Sequence, residues 1–315
     1  SVDELVRAIK EMQIRGAPAL GVAAAMALAL AVLRSRARDK RALMLELKRA
    51  ADKIRRTRPT AINLFMGLER ALNAARSADK VEEIKKAVVL EAERLAEEEI
   101  ERNRRIGEHG ASLLKDGDVV LTHCNTGALA CIDHGTALGI IRTAWAQGKR
   151  VKVLATETRP LLQGARLTTW ELMRDGIPVT LITDGAIGYF LSKGLVDIVL
   201  VGADRIFADG HLINKIGTYT LAIAAKHHSV PFYSAAPTST FDLKSEAKDA
   251  IIEERAPEEV TTIAGRRIAP KGVEAMNPAF DITPPELVSG FITEVGIIKP
   301  PFEKNIRKIV GGVGK

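Results

Sequence analysis

A thiol, an imidazole, an amide and two hydroxyls are gathered into five consecutive residues of this chain. The stretch is "DVVLTHCNTGALA", Asp118 to Ala130, and the residues are Thr122, His123, Cys124, Asn125 and Thr126. Val119 to Leu121 are β-branched or apolar and read as a strand. Gly127 to Trp145 is rich in Ala, Leu and Ile and reads as a helix. That places Cys124 at the carboxyl end of a strand and just ahead of a helix start, where partial positive charge eases ionisation of a thiol. The competing reading is a small buried hydrophobe, as most free cysteines are. Cys131, the other cysteine, falls two turns into the expected helix and reads as core packing. His123 is either an acid–base group or a brace for the turn.

A second reactive group is Asp204 in "VLVGADRI". It follows an apolar run, and a partly desolvated carboxyl has its pKa raised toward the range useful in acid–base catalysis. It could equally pair with Arg205 or cap the next element. Two cations stand near expected helix openings: Arg15 in "RGAPA", ahead of Pro18, and Arg58 in "TRPTAIN". An Arg beside the free N–H groups of a helix start makes an anion pocket; otherwise both are solvated side chains. There is no GxGxxG after a strand and no GxxxxGK[ST], so nucleotide binding by those loops is not supported. No metal cluster or cofactor motif is visible, and neither a metal nor a cofactor is expected.

These groups need a scaffold, and the sequence changes grammar to provide one. Residues 1 to about 115 read as helices, with apolar residues at three- and four-residue spacing amid charge. From residue 116 onward, runs rich in Val, Ile and Leu alternate with helical stretches: "DVVLTH", "VKVLATE", "VTLITD", "VDIVLVGAD" and "PFYSAAP". That alternation predicts an α/β domain with a parallel sheet covered on both faces. The expected division is 1–115, a helical domain, and 116–315, the domain carrying the sheet. Ligands of open parallel sheets bind beyond the carboxyl ends of the strands. There the chain places Cys124 and its neighbours, then Glu157, Thr158, Arg159 and Gln163, then Asp184, then Asp204, Arg205, Asn214 and Lys215, and finally Thr238, Ser239 and Thr240. Each has a structural explanation alone, such as helix capping by Asp184 or Ser239. Together they favour a polar, hydroxylated ligand.

The formal net charge of +7 is spread along the chain, and aromatics are only 4%. No basic block is interleaved with aromatics, so nucleic acid is not an expected partner. An anionic substrate suits the balance. Pro18 to Leu33 is apolar, but at about 16 residues it is short of the roughly 20 that cross a bilayer. A buried helix, with no membrane partner, is expected. The first ten residues include Asp3, Glu4 and Lys10, unlike a secretory leader. With two cysteines and no disulfide framework, the cytoplasm is the expected compartment. Abundant Glu, Lys and Arg with scarce Asn and Gln fit a heat-adapted protein.

Seven stretches, in order from residue 14 to about 294, together resemble one family, the methylthioribose-1-phosphate isomerases. They are "IRGAPALGVAAA", "TRPTAINLF", "LTHCNTGALA", "ETRPLLQGARLTTWELMRDGIPVTLITD", "VGADRIFADGHLINKIGTYTLAIAAKHH", "PFYSAAPTSTFD" and "NPAFDITPPELVSGFITE". The resemblance implies a small helical N-terminal domain, a Rossmann-like C-terminal domain and a homodimer. It implies conversion of 5-methylthioribose 1-phosphate to 5-methylthioribulose 1-phosphate in methionine salvage, with Cys124 and Asp204 as the catalytic pair. It implies substrate contacts by Arg15, Gly16, Ala17, Arg58, Gln163, Asn214 and Lys215; Gly16 and Ala17 come from the resemblance alone. The chain departs from the family pattern in starting almost at "DELVRAIKEM", where members carry a β-rich lead-in, in Asp133 and His134, and in Gly185. Two other readings belong to the same superfamily: an isomerase of ribose 1,5-bisphosphate, and a non-catalytic regulatory subunit like those of initiation factor 2B. Retention of Cys124 and Asp204 argues against the latter.

Overall fold

The structure, a computed structural model, describes residues 1–58 and 62–312. It divides into two compact units: Ser1–Arg102 with Leu129–Asp133, and Asn103–Ala128 with His134–Lys315. The change of grammar near residue 115 marks the end of a long helix. The units divide inside that helix, and a five-residue segment from further along the chain joins the first unit.

The first unit is helical, as its periodicity predicts. Its helices are α1 (Val2–Lys10), α2 (Ala17–Arg34), α3 (Lys40–Arg55), α4 (Ile62–Arg76) and the first part of α5 (Val81–Ala111). Helix α1 opens with a capping box: Ser1 accepts from the Glu4 amide, and the Glu4 side chain reaches back. Asp39 caps α3 by accepting from the Ala42 amide at 2.8 Å. Among the described residues α2 is the one helix long and apolar enough to cross a membrane, yet 56% of it is buried within the protein. It packs on α4 at glycine: a Cβ on Gly67 would lie 2.0 Å from the Gly21 carbonyl oxygen. Leu28, Val32, Leu43, Leu47, Ile54, Leu64 and Leu68 fill the core around it.

The second unit contains β1 (Val119–Thr122), α6 (Ala137–Ala146), β2 (Lys152–Thr156), α7 (Thr169–Arg174), β3 (Val179–Ile182), α8 (Ile187–Ser192) and β4 (Ile198–Val201). There follow β5 (Arg205–Phe207), β6 (Leu212–Lys215), α9 (Thr218–His227), β7 (Phe232–Ala235), β8 (Phe241–Asp242), α10 (Glu258–Thr261), β9 (Thr262–Ile263) and β10 (Arg266–Arg267). The chain ends with β11 (Phe280–Thr283), β12 (Gly290–Thr293), β13 (Gly296–Ile298) and α11 (Phe302–Val310). Seven strands form the main sheet in the order β13-β12-β7-β4-β1-β2-β3. All neighbours are parallel except the edge pair β12–β13. Residues alternate between two cores. Leu121, Val199 and Val201 join one, and Val120, Ile198 and Leu200 join the other. That is the expected sheet with both faces covered.

Strand order fixes where a ligand can reach. From β1 the chain winds outward through β2 and β3, then returns to β4 on the other side of β1 and winds away through β7 and β12. The direction reverses between β1 and β4, which is where open α/β sheets leave a crevice beyond the strand ends.

Three sequence expectations are corrected. The helix expected from Gly127 begins at Ala137, after a single 3-10 turn at Ala128–Ala130. The chain first loops out and returns, with the Thr136 amide donating to the Thr126 carbonyl at 2.9 Å. A Cβ on Gly135 would lie 2.6 Å from Gly127 Cα, so the loop closes glycine on glycine, and Gly135 has a φ of +90°. Cys131 is buried, but in this loop, not within a helix. Asn214 and Lys215 are not loop residues. They lie on β6 in a second, four-stranded sheet of order β11-β6-β5-β8, whose β5–β6 hairpin turns at Ala208–Asp209, followed by Gly210 at φ +94°.

Candidate active site

Cys124 lies two residues beyond β1, and Asp204 three beyond β4. Register pairs Thr122 with Leu200, so the two follow neighbouring parallel strands, which run roughly 4.8 Å apart. The loops beyond these strands also touch. A Cβ on Gly202 would lie 2.6 Å from Thr126 Cγ2. Asp204 is half-buried, and its amide donates to the Ile213 carbonyl at 2.9 Å, which seats it at the head of the β5–β6 hairpin. Arg205 has an ion pair with Asp242 at 3.8 Å.

Cys124 is 6% exposed and has a φ of +63°. A side-chain-bearing residue seldom adopts that left-handed conformation without being held there. The expected source of positive potential, a helix start directly after Cys124, is absent because α6 begins at Ala137. What surrounds the thiol's turn instead is the segment after β2, which grips it residue by residue. Thr156 Oγ1 meets His123 Nδ1 at 2.7 Å. The Cys124 amide donates to Thr158 Oγ1 at 2.9 Å, and Thr168 Oγ1 donates to the Cys124 carbonyl at 2.7 Å. Asn125 Nδ2 donates to Glu171 Oε1 at 2.8 Å, and the Ala128 amide donates to Glu171 Oε2 at 2.7 Å. Arg142 neutralises Glu171 at 2.8 Å.

His123 is a brace. Its Nε2 lies 2.8 Å from the Ile216 carbonyl, which can only accept, so the proton sits on Nε2 and Nδ1 accepts from Thr156. Burial pushes its pKa below the ordinary value, leaving a neutral ring at neutral pH. Through Ile216 the imidazole ties the Cys124 turn to the end of β6. Gly217, at φ +100°, packs against it so closely that a Cβ would be 3.1 Å from the ring.

The other expected contacts of this unit lie on the segment after β2 and on β6. Gln163 is buried, and its Oε1 has no hydrogen-bond partner among the described residues. Asn214 Nδ2 donates to Thr218 Oγ1 at 3.0 Å. Lys215 is 6% exposed; its ammonium donates to the Ala279 carbonyl at 2.8 Å and lies 4.8 Å from the Phe280 ring centre. Asp184 caps no helix. It accepts from the amides of Thr158 and Arg159 at 2.8 and 2.7 Å, fixing the segment that holds Cys124. Ser239 Oγ and Thr240 Oγ1, beyond β7, are buried without hydrogen-bond partners among the described residues.

Three residues here carry no local sequence signal: Thr168, Glu171 and Asp281. Asp281 lies opposite Asn214 in the β6–β11 register. Its Oδ2 accepts from the Gly217 and Tyr219 amides at 2.7 and 3.1 Å, so it occupies the N-terminus of α9. Burial pushes its carboxyl up to about 6 against the pull of those amides and of Lys215.

In the first unit, Gly16 is the N-cap of α2 with a φ of +96°, and no side chain caps this helix. No acidic residue lies in its first turn, and Pro18 stands in its opening. A Cβ on Gly16 would lie 2.0 Å from the Ala130 carbonyl oxygen, so only glycine fits. Among the described residues no side chain caps the amides at this helix start, which is where an anion is favoured, and Arg15 directly precedes them. Arg58 donates to Met12 Sδ at 3.2 Å. Three residues of the "TRPTAIN" stretch, Pro59 to Ala61, lie outside the described residues.

A doubly wound α/β unit with a thiol and a carboxylate at its strand reversal, preceded by a helical unit, defines the class. Residues 13–300 match the model of the initiation factor 2 subunit family. The chain belongs to that family and, within it, groups with proteins named methylthioribose-1-phosphate isomerase. The protein of that name from Thermosipho melanesiensis is 52% identical over 97% of this chain and 89% of its own length. A crystal structure described as 5-methylthioribose 1-phosphate isomerase from Pyrococcus horikoshii superposes with a TM-score of 0.92 at 45% identity, covering 99% of this chain and 88% of that one. Another, described as subunit delta of translation initiation factor eIF-2B from A. fulgidus, has a TM-score of 0.89 at 56% identity, covering 99% and 91%.

Proposed function

We propose that this protein is an aldose–ketose isomerase that converts 5-methylthioribose 1-phosphate to 5-methylthioribulose 1-phosphate in methionine salvage. The observation that carries the reading is the placement of Cys124 and Asp204 beyond the two strands that flank the sheet's reversal. The names of relatives at about half identity support the substrate.

The anomeric oxygen of such a substrate carries phosphate, so the ring cannot open as a free hemiacetal does. In the proposed sequence, Cys124 gives a proton to the ring oxygen as the bond from that oxygen to C1 breaks. The electron-poor C1 then takes hydrogen with its electron pair from C2. The C2 hydroxyl gives its proton to Asp204 as the ketone forms. One proton has left Cys124 and one has reached Asp204, and solvent restores both. Arg15, the amides of Gly16 and Ala17, and Arg58 are assigned to the phosphate. Gln163, Asn214 and Lys215 are assigned to the sugar hydroxyls. Among the described residues no side chain caps the start of α2 and none bonds Gln163 Oε1, which supports these assignments. No cofactor or metal enters the scheme.

A homodimer in the cytoplasm of a heat-adapted organism completes the proposal, supported by the resemblance, by cysteine usage and by charge composition. The A. fulgidus structure described as an initiation factor subunit favours a second reading, a non-catalytic regulatory subunit. Purified protein offered 5-methylthioribose 1-phosphate and ribose 1,5-bisphosphate separates the readings. Ketose from the first alone supports the proposal, ketose from the second alone transfers the activity to the bisphosphate, and none from either favours the regulatory subunit.

A further inference from the structure

Cys124 carries a side chain yet occupies a left-handed conformation, φ +63°. The cost of such a residue is roughly 1–3 kcal/mol, and it persists only where its surroundings over-determine it. Here the determinants are two threonine hydroxyls, one on each side of the residue's own backbone. Thr158 Oγ1 accepts from the Cys124 amide at 2.9 Å, and Thr168 Oγ1 donates to the Cys124 carbonyl at 2.7 Å. Both threonines are fully buried. Neither is loosely held. Thr158 is itself left-handed, φ +63°, and its amide is pinned by Asp184 at 2.8 Å. Thr168 closes the π-helical turn Gly164–Thr168 and also accepts from Asn125 Nδ2 at 3.3 Å. That turn is anchored at Gly164, where a Cβ would lie 1.7 Å from the Thr156 carbonyl oxygen. A π-turn is uncommon and marks functional sites often.

We infer that Thr158 and Thr168 are positioning residues for Cys124: their hydroxyls clamp its amide and carbonyl and so aim the thiol. The inference rests on the isomerase reading for what the thiol does, but the clamp itself is a property of this turn. Releasing either end lets φ relax to a negative value, which swings the Cα–Cβ bond and moves Sγ away from its working position. A misplacement on the order of 1 Å costs a reaction about a hundredfold. The loss falls on turnover and not on phosphate or hydroxyl binding, which other residues supply.

The test uses Thr158→Val and Thr168→Val, which keep shape and remove the hydroxyl, beside Thr158→Ser and Thr168→Ser, which keep it. Each valine variant is expected to lower kcat by about tenfold to a hundredfold with KM within about threefold of wild type. A second readout needs no substrate: the rate of Cys124 alkylation by iodoacetamide, followed by peptide mass, with Cys131 as internal reference. Cys124 in each valine variant is expected to react at least about fivefold faster, because its turn opens more often. Both serine variants are expected to recover whatever the valine variants lose. Valine variants that match wild type in both readouts overturn the clamp, as do serine variants that fail as badly as valine. Should a valine variant not fold, Asp184→Asn replaces it, with a kcat loss of about threefold expected; wild-type behaviour there also overturns the clamp. If wild type makes no ketose but alkylation follows the hydroxyls, the isomerase reading falls and the clamp stands.

Discussion

Cys124 and Asp204 stand beyond neighbouring strands, the one reached by β1 and the other by β4, on either side of the line where the sheet reverses its winding. Residues about 80 apart in sequence are brought together by topology alone. Each of the two has its backbone fixed by a hydrogen bond: Cys124 by the threonines after β2, Asp204 by the hairpin that follows it.

Cys124→Ser and Asp204→Asn are each expected to lower turnover by at least about a hundredfold, the low end for a positioned acid–base group. Thermal unfolding should stay near that of wild type, since neither change removes core volume. Steady-state assays of both variants beside a melting curve check this. Near-normal turnover in either removes that residue from the chemistry.

Arg15→Ala and Arg58→Ala are expected to raise KM by about tenfold or more, and Arg→Lys to restore only part of it. A point-charge ammonium does not reproduce two-pronged contact with phosphate. Full rescue by lysine would reduce the role of that arginine to charge.

Gly16→Ala is expected to destabilise the fold by at least about 2 kcal/mol, since it combines a left-handed backbone with a blocked Cβ. The Cβ would sit 2.0 Å from the Ala130 carbonyl oxygen. Urea unfolding measures this directly, and an unchanged midpoint would contradict the close approach.

Asp281 gives a pH dependence with a definite sign. Its carboxyl is raised from 3.8 to about 6, first by burial. Between those values the folded state binds more protons than the unfolded one. The stability this group contributes is therefore fully present below the lower value and is lost as pH rises through the upper. Asp281→Asn does not titrate, so the stability of wild type relative to this variant should fall by up to about 3 kcal/mol from pH 4 to pH 7. Urea unfolding at four or five pH values measures the difference; a flat line would mean that Asp281 titrates as an ordinary carboxyl.

Much of this fold can be read in the sequence, for physical reasons. Strands buried on both faces read as continuous runs, as in "DIVLV", and charged helices show their spacing plainly. The β5–β6 hairpin is harder, because "RIFADGHLINK" has strands of only three and four residues. Asp209–Gly210 between apolar runs is nonetheless a hairpin signal. The helix expected at Gly127 fails because composition there is helical while two glycines close a loop. On the site, residue type and position beyond a strand single out Cys124, Asp204, Gln163, Asn214 and Lys215. They say nothing of Thr168, Glu171 or Asp281, whose roles arise from contacts 43 or more residues away in sequence. The left-handed backbone of Cys124 is likewise invisible, since no residue type announces it there.

The proposed reaction moves hydrogen from C2 to C1 of a phosphorylated aldose using Cys124 and Asp204. The most direct measurement offers the purified protein 5-methylthioribose 1-phosphate carrying deuterium at C2, in ordinary water, and follows the product by NMR. Direct transfer predicts 5-methylthioribulose 1-phosphate with deuterium retained at C1, formed by wild type and at least about a hundredfold more slowly by Cys124→Ser and Asp204→Asn. Loss of deuterium to solvent would contradict direct transfer, and the absence of any ketose would contradict the isomerase itself.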